Sequence, residues 1–544
     1  MLNDNEKWAG ALLAKRQVLP RWHSPQTAAE RGERSGNFRP SLRDSKPELK
    51  WLTSLEEQSQ REQPHAAIEL SETAYILDPK SERWSSPSST GVHMLWSKAA
   101  NIRFEFAANP DNSRQLTNSE FARLEISRLR AILRSNPHLA LVWSEMARNY
   151  LILGDDTKAS RSMACALGLA PNNPYLTRAS VRLYVHLDQP DRALNLLRKN
   201  PATRHDPRLL AAEIALADAG KVAGNWAAAA ARIIGDANYR PALVSDLTAA
   251  LATLDMANGK HKKARQLFSR TIAAPSENAL AQTQWASERD SKIVIPHEAW
   301  MTPGSDEARA LAARVNGDWD GVLDAAECWL DSEAFSSRPA AMASFATFTE
   351  EQNQRSEAIA SKAIDSNPHV SLLWNNRAVV RAYLGKSAEA FADVEAALAN
   401  EKSLGTQEPV LFATLGLVAY RRGYPSLGNS CYAKAINTLN KDKRPRSAAL
   451  GMLFWIREEL RYDPVAAQEA LAQIKKTLPR ITNGEKIPEM ESMLSAVENE
   501  LLQATLVPLS GTEMPEDPRL NEVANEYVPE RDESLTLPVL AKSI

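Results

Sequence analysis

The sequence contains few aromatic residues and few glycines. Of its 544 residues, 6% are aromatic and 21 are glycine. Strands are enriched in aromatic and β-branched residues, whereas this chain has long runs dominated by alanine and leucine, which favour helices. A predominantly β fold is therefore excluded, and the composition predicts a nearly all-helical protein.

Cysteine is scarce, and neither sign of charge is in excess. The three cysteines, Cys165, Cys328 and Cys431, include no CxxC pair and cannot form a disulfide framework, so a reducing compartment is expected. They fall in predicted helices among apolar residues, and we expect their thiols to be buried. The formal net charge is −2, which excludes a general electrostatic attraction to nucleic acid or acidic membranes.

Long hydrophobic runs are absent as well. No segment approaches the roughly 18 apolar residues that a membrane-spanning helix needs. The N-terminus has a short apolar run at residues 8–14 with acidic residues before it, where a secretion signal would have a basic region. We therefore expect a cytoplasmic protein without a membrane span.

Apolar residues recur with helical spacing in residues 143–171, WSEMARNYLILGDDTKASRSMACALGLAP. The first half places four of them at i, i+3, i+4 and i+7 on one helix face: Trp143, Met146, Ala147 and Tyr150. Gly154 lets the chain reverse, and a second helix ends at Pro171 with this apolar face: Ala159, Met163 and Ala166. Further on, the same kind of turn is predicted at three glycines: Gly220, Gly259 and Gly317.

This spacing resembles the tetratricopeptide repeat, whose signature is W-x2-L-G-x2-Y, then A-x3-F, then P. Pro137 and Pro171 stand 34 positions apart, which is the length of that repeat. Further copies, with the signature partly kept, are residues 175–197, 371–398 and 410–436, the last with Gly428 in the usual place of alanine. The resemblance, to repeats of a bacterial type, implies an all-α solenoid of stacked antiparallel helix pairs in a right-handed superhelix, with mobile N- and C-terminal segments.

Repeat pattern and composition divide the chain into five segments. An N-terminal helix and a basic, mobile segment are expected in residues 1–60, and a first repeat block in residues 61–204. Residues 205–330 are expected to form degenerate helical repeats. Residues 331–505 are expected to form a second repeat block with C-terminal capping helices, and residues 506–544 an acidic, disordered tail.

First helices of stacked pairs line a concave groove, which is where such repeats are expected to bind a ligand. The candidate peptide-binding residues are Ser144, Arg148, Ile152, Arg178, Arg182, His186, Asn375 and Val379. Arg148, Arg178 and Arg182 would form a basic ladder for the carboxylates of an acidic or C-terminal peptide, and the acidic tail could compete for it. The alternative is that these arginines are solvated surface residues.

Two other groups of residues carry structural expectations. Arg377 and Arg381 fall on a partly buried face, so each needs an acidic partner nearby; the candidates are Glu389, Asp393 and Glu395. Trp143 and Trp374 begin their repeats and are expected in the core. The tryptophans of the first hundred residues predict either an interface or a capping cluster: Trp8, Trp22, Trp51, Trp84 and Trp96.

Motifs for catalysis, cofactors and metals are missing. The sequence has no GxSxG, HExxH or GxGxxG and no complete phosphate loop, and its nine histidines form no His-x3-His pair. We therefore expect a non-catalytic scaffold or adaptor that binds a protein partner in its groove, without cofactor or metal. Two alternatives stay open: a helical-repeat protein that binds RNA, which the near-neutral charge disfavours, and an enzyme with an unrecognised active site.

Overall fold

The computed structural model describes residues 21–22, 117–135, 137–171, 173–236, 239, 241–302, 304–344, 346, 352–404, 409–504, 517–528, 537 and 540–541. These residues contain 22 α-helices and no strand, and consecutive helices pack against each other. The prediction of an all-α fold in which consecutive helices pack together is confirmed. No helix in the described ranges combines the length and the apolar character needed to cross a bilayer.

The chain divides into two compact units. In its described part, the first unit comprises residues up to 311 together with 331–336, and the second unit comprises residues 312–330 and those from 337 onward. The helices of the first unit are α1 (Asn118–Ser135), α2 (Ala140–Ile152), α3 (Asp156–Leu169), α4 (Pro174–His186), α5 (Pro190–Lys199), α6 (Pro207–Ala219), α7 (Ala227–Gly235), α8 (Pro241–Ala257), α9 (His261–Ile272) and α10 (Glu277–Ser287). Both units share α11 (Asp306–Asn316) and α12 (Trp319–Ser332). The second unit continues with α13 (Arg338–Ala343), α14 (Asn353–Ser366), α15 (Ser371–Tyr383), α16 (Ser387–Leu404), α17 (Pro409–Arg421), α18 (Pro425–Lys441), α19 (Pro445–Glu459), α20 (Pro464–Thr482), α21 (Pro488–Ala504) and α22 (Pro518–Tyr527).

Prolines mark where helices begin. Ten of the 22 described α-helices start at a proline, which suits the first position because its missing N–H would have no helical partner there. Where helix pairs turn, the predicted Gly154, Gly259 and Gly317 adopt left-handed φ angles of 67°, 73° and 69°. Gly220 does not: its φ is −80°, and the next residue, Lys221, takes the left-handed conformation instead.

The two repeat-leading tryptophans are held in the same way. The indole N–H of Trp143 donates to the carbonyl of Pro137 (2.9 Å), and that of Trp374 donates to Pro368 (2.8 Å). Both rings pack against the hydrophobic cores of their units but stay partly exposed. The predicted repeat therefore has one local structure at both places, with these rings at the edge of the core.

Asp393 is the shared acidic partner of the two arginines on α15. Its carboxylate accepts from Arg377 (2.7 and 2.9 Å) and from Arg381 (2.9 Å), and Asp393 is only 2% exposed. Of the three acids that the sequence offered, Asp393 is thus confirmed. Glu357 on α14 also accepts from Arg381 (2.9 Å).

Helices α17 and α18 cross closely at two glycines. A Cβ on Gly416 would lie 3.0 Å from the carbonyl oxygen of Gly428, and one on Gly428 would lie 2.3 Å from the ring of Tyr420. The Tyr420 ring cannot move away easily, because it is buried and its hydroxyl accepts from the Trp455 indole (3.0 Å). This packing explains why glycine replaces alanine at position 428.

Gly428→Ala is expected to destabilise the protein by about 1–3 kcal/mol, because the added methyl overlaps the fixed Tyr420 ring. Gly451→Ala is the matched control: its Cβ would meet only Ile436 at 3.8 Å, so the better helix propensity should stabilise by about 0.5–1 kcal/mol. Urea unfolding followed by circular dichroism measures both changes. Equal effects of the two substitutions would contradict the close crossing.

Several sequence expectations need correction. Cys431 is buried as predicted, but Cys165 and Cys328 are exposed, because they lie on the side of their helices that faces away from the packing interface. Of the N-terminal tryptophans only Trp22 falls within the described residues, and it is 1% exposed. The predicted N-terminal helix and mobile segment within residues 1–60 stay predictions, because only Arg21 and Trp22 of these residues are described; the other four tryptophans lie outside the described residues.

Part of the predicted disordered tail is a helix, so that prediction is wrong for α22. Asp517 caps α22 by accepting from two backbone N–H groups, and Leu520 and Ala524 are buried in the core of the second unit. Asp517 also pairs with Arg422, and Arg519 pairs with Glu395 (2.8 Å). The described part of the tail therefore packs on the second unit by apolar burial and ion pairs.

Candidate functional site

The predicted groove residues fall in two separate places. Six of them lie on α2 and α4 of the first unit, and Asn375 and Val379 lie on α15 of the second. Of the first group, Ser144 and Ile152 are buried, because α2 is packed against α1, α3 and α4. The expectation that these two side chains face an open groove is wrong.

Each of the three candidate arginines in the first unit lies beside a carboxylate of the same chain. The ion pairs are Arg148 with Glu145 (3.2 Å), Arg178 with Asp206 (3.6 Å) and Arg182 with Glu333 (2.8 Å). Arg178 and Arg182 are buried, so they are not the solvated surface residues of the alternative interpretation. These arginines thus already pair with carboxylates inside the fold. Their binding of a carboxylate from an external peptide stays a prediction.

His186 faces an aromatic ring. It meets Phe335 edge-on, with ring centroids 5.5 Å apart, and the guanidinium of Arg182 lies 5.1 Å from the centroid of the same ring. Phe335 and Glu333 belong to the short segment of residues 331–336, which comprises the end of α12 and the four residues after it. This segment therefore covers the end of α4 on which the sequence had placed candidate ligand contacts.

A groove lies across three successive first helices of the second unit. It spans about 780 Å³ of space, part of which is open solvent. Each helix contributes four residues with the same i, i+3, i+4, i+7 spacing: Leu372, Asn375, Asn376 and Val379 from α15; Val410, Ala413, Thr414 and Leu417 from α17; Ser447, Leu450, Gly451 and Phe454 from α19. Ser344, Tyr432 and Leu439 complete the lining. We call this the second-unit groove.

Two adjacent amides are the most polar feature of the second-unit groove. Asn375 is 4% exposed and donates through Nδ2 to Oδ1 of Asn376 (3.4 Å). This leaves the acceptor Oδ1 of Asn375 and the donor Nδ2 of Asn376 buried with no hydrogen-bond partner among the described residues. Unsatisfied buried polar atoms are costly, so this pair is suited to a ligand that offers one donor and one acceptor.

A buried ionic cluster adjoins the Phe454 end of the second-unit groove. Phe454 contacts the ring of Tyr383 (6.5 Å between centroids), and the guanidiniums of Arg421 and Arg457 lie 4.8 and 4.6 Å from the Tyr383 centroid. Burial raises the pKa of the Tyr383 hydroxyl above its usual range. The arginines are balanced by Glu458 (2.6 Å from Arg421) and by Glu500 (2.8 Å from Arg457), so the cluster joins α15, α17, α19 and α21 without excess charge.

Sequence reasoning found one helix of this groove and missed two. Asn375 and Val379 on α15 were among the predicted groove residues, whereas no residue of α17 or α19 was. The signal for the missed residues was present, because α17 and α19 repeat the spacing of α15. The structure brings the groove residues of α15, α17 and α19 together, whereas the other predicted site residues lie in the first unit.

Comparisons with known proteins add little to this geometry. No family model matches the sequence, and no curated protein matches it. The crystal structure of yeast Tom70 matches with 12% sequence identity and a TM-score of 0.30, over 75% of this chain and 99% of that chain. At this TM-score the two chains do not superpose as wholes, so functional conclusions rest on the residues of this chain.

Proposed function

We propose that the protein is a non-catalytic cytoplasmic scaffold, with tetratricopeptide repeats of a bacterial type, that binds a segment of a partner protein in the second-unit groove. The observation that supports this most is the pair of buried amide atoms, Asn375 Oδ1 and Asn376 Nδ2, that have no hydrogen-bond partner among the described residues and lie between apolar stripes. A peptide unit offers one N–H and one C=O, which match the unsatisfied acceptor of Asn375 and the unsatisfied donor of Asn376. A preformed helical surface of this kind binds without a large ordering cost in the receptor.

The lining indicates an apolar segment as the occupant. Valine, leucine, alanine and phenylalanine predominate among the groove residues, and no charged side chain is among them. A carboxylate would lose its hydration there without a cationic partner. We therefore favour a peptide with two or more apolar anchors over an acidic or C-terminal peptide, for which the first-unit arginines would be the better match.

A random-peptide display library, panned on the purified full chain, tests this proposal. We expect enrichment of peptides with spaced apolar side chains. Val379→Lys should weaken the selected peptides by about tenfold or more, because it places a charge in the apolar groove. Asn376→Ala should weaken them by about fivefold, since one hydrogen bond of about 1 kcal/mol is lost.

Val465→Lys provides the matched control. Val465 is 68% exposed at the start of α20, outside the groove, so the same chemical change there should leave peptide affinity unchanged. Fluorescence anisotropy with a labelled selected peptide measures all three variants. If the library yields no enriched peptide, or if enriched peptides bind Val379→Lys as tightly as wild type, the groove is not the binding site.

A further inference from the structure

Arg21 is enclosed by acidic and amide groups from distant parts of the first unit. Its guanidinium pairs with Glu333 (2.7 Å) and Glu307 and lies 3.8 Å from Glu277, and its Nε donates to Oδ1 of Asn278 (2.8 Å). Glu277 and Asn278 begin α10, Glu307 begins α11, and Glu333 follows α12. Three carboxylates from three separate segments thus converge on one side chain.

Trp22 occupies an aromatic position next to this acidic one. Its side chain is 1% exposed, and its ring meets Phe335 at 5.9 Å between centroids. Phe335 is held in turn by His186 and Arg182 on α4. Arg21 and Trp22, which are neighbours in sequence, therefore occupy two adjacent subsites of the first unit. One subsite binds a guanidinium, and the other binds an aromatic ring.

The carboxylates around Arg21 favour a cation at its position. Glu333 pairs with both Arg21 and Arg182, and Glu277 and Glu307 are partly or fully buried acids that also face Arg21. Burial alone would lower the pKa of Arg21, yet the charges of Glu333, Glu307 and Glu277 outweigh it and raise the pKa above its usual value. Removing Arg21 would leave like charges facing each other in a poorly solvated place.

We infer that Glu277, Glu307, Glu333 and Phe335 form a binding site for an arginine followed by an aromatic residue, and that the chain's own Arg21–Trp22 is its resident ligand. The contacts bridge more than 250 positions in sequence, with 257 between Arg21 and Asn278 and 312 between Arg21 and Glu333. Helices of the first unit also pack on their own sequence neighbours without this segment. The segment is thus held as a peptide ligand is held, through two anchor side chains.

Binding of the same segment from solution tests this inference. The probe is a fluorescein-labelled peptide of residues 15–28, KRQVLPRWHSPQTA. The protein is the full chain in which the resident anchors are removed by Arg21→Ser and Trp22→Ser. We expect this emptied variant to bind the peptide at least about tenfold more tightly than wild type, whose site is occupied by the covalently attached segment.

Peptide and protein controls separate recognition from general attraction of a basic peptide. A peptide with Arg21→Lys keeps the charge but loses the planar fork, and it should bind the emptied variant about tenfold more weakly. Adding Glu307→Gln to the emptied variant should weaken the parent peptide to a similar extent. Adding Glu298→Gln instead should change nothing, because Glu298 is an exposed acid of the same unit.

The variant Arg21→Gln, which keeps Trp22 in place, replaces the double variant if the latter loses its helical circular dichroism signal. Its peptide affinity should lie between those of wild type and the emptied variant. Equal binding of the peptide to wild type and to the variant used would overturn the inference. Equal binding of the Arg21→Lys peptide and the parent peptide would also overturn it.

Discussion

Asp393→Ala is expected to lower the free energy of unfolding of the second unit by about 3–5 kcal/mol, because it removes the carboxylate shared by two partly buried arginines. Arg377 would keep only the Ser361 hydroxyl and Arg381 only Glu357 among the hydrogen-bond partners described for them. Urea unfolding of the full chain, followed by circular dichroism, measures the change.

Glu395→Ala is the matched control for this prediction. Glu395 lies on the same helix and was an equally acceptable partner by sequence, but it pairs with the exposed Arg519 instead. Exposed ion pairs contribute less than about 1 kcal/mol, so this substitution should have little effect. A loss for Glu395→Ala as large as that for Asp393→Ala would contradict the observed pairing.

Asp246→Asn is expected to stabilise the first unit at neutral pH. Burial raises the pKa of Asp246 from its usual 3.8 to about 6, with Glu277 adding to the shift and Ser276, Arg208 and Arg178 opposing it. Between these two pKa values the folded state binds more protons than the unfolded state, so the free energy of unfolding falls as pH rises through this window. A shift of about two units corresponds to about 3 kcal/mol, which asparagine would recover at pH 7.5.

The pH dependence checks the sign of this prediction. The advantage of Asp246→Asn should shrink to about 1 kcal/mol at pH 4.5, because the folded-state carboxyl is protonated there. Asp206→Asn should do the opposite: burial raises the pKa of this carboxyl, but Arg208 and Arg178 outweigh burial and lower it. Its charge thus stabilises the fold above the unfolded-state pKa, and that contribution is lost as pH falls through the folded-state pKa. Urea midpoints for both variants at the two pH values provide the measurement. Both values lie above 3.8, so Asp206→Asn should lower the free energy of unfolding at each of them. A pH-independent gain for Asp246→Asn would contradict the assignment.

The sequence predicted those features that depend on local spacing. Helix pairs, the left-handed Gly154 and the need of Arg377 for a nearby acid all follow from residues within one repeat. Local spacing could not say that Gly428 faces the ring of Tyr420, or that a helix forms inside the acidic tail, because both depend on a surface supplied by another helix. The exposed Cys165 is a similar case, since an apolar neighbourhood in sequence does not fix which face of the helix is covered.

The candidate site residues also differ in whether local spacing could predict their surroundings. Asn375 and Val379 could be placed in a groove because first helices of neighbouring repeats lie side by side, and that is where the second-unit groove runs. Ser144 and Ile152 had the same spacing but are covered by adjacent helices. The contacts of Arg21 with Glu307 and Glu333 had no sequence signal, because they join segments about 300 positions apart and follow no period.

The path of the chain limits how this protein can be divided into fragments. The chain leaves the first unit after residue 311, returns for residues 331–336 and leaves again. A fragment that ends at residue 311 would lack both Glu333 and Phe335, and one that begins at residue 312 would carry them away from their acceptor helices. Each half can therefore be made whole only by joining two stretches of the gene, and a simple truncation series would give misleading losses of stability on both sides of the cut.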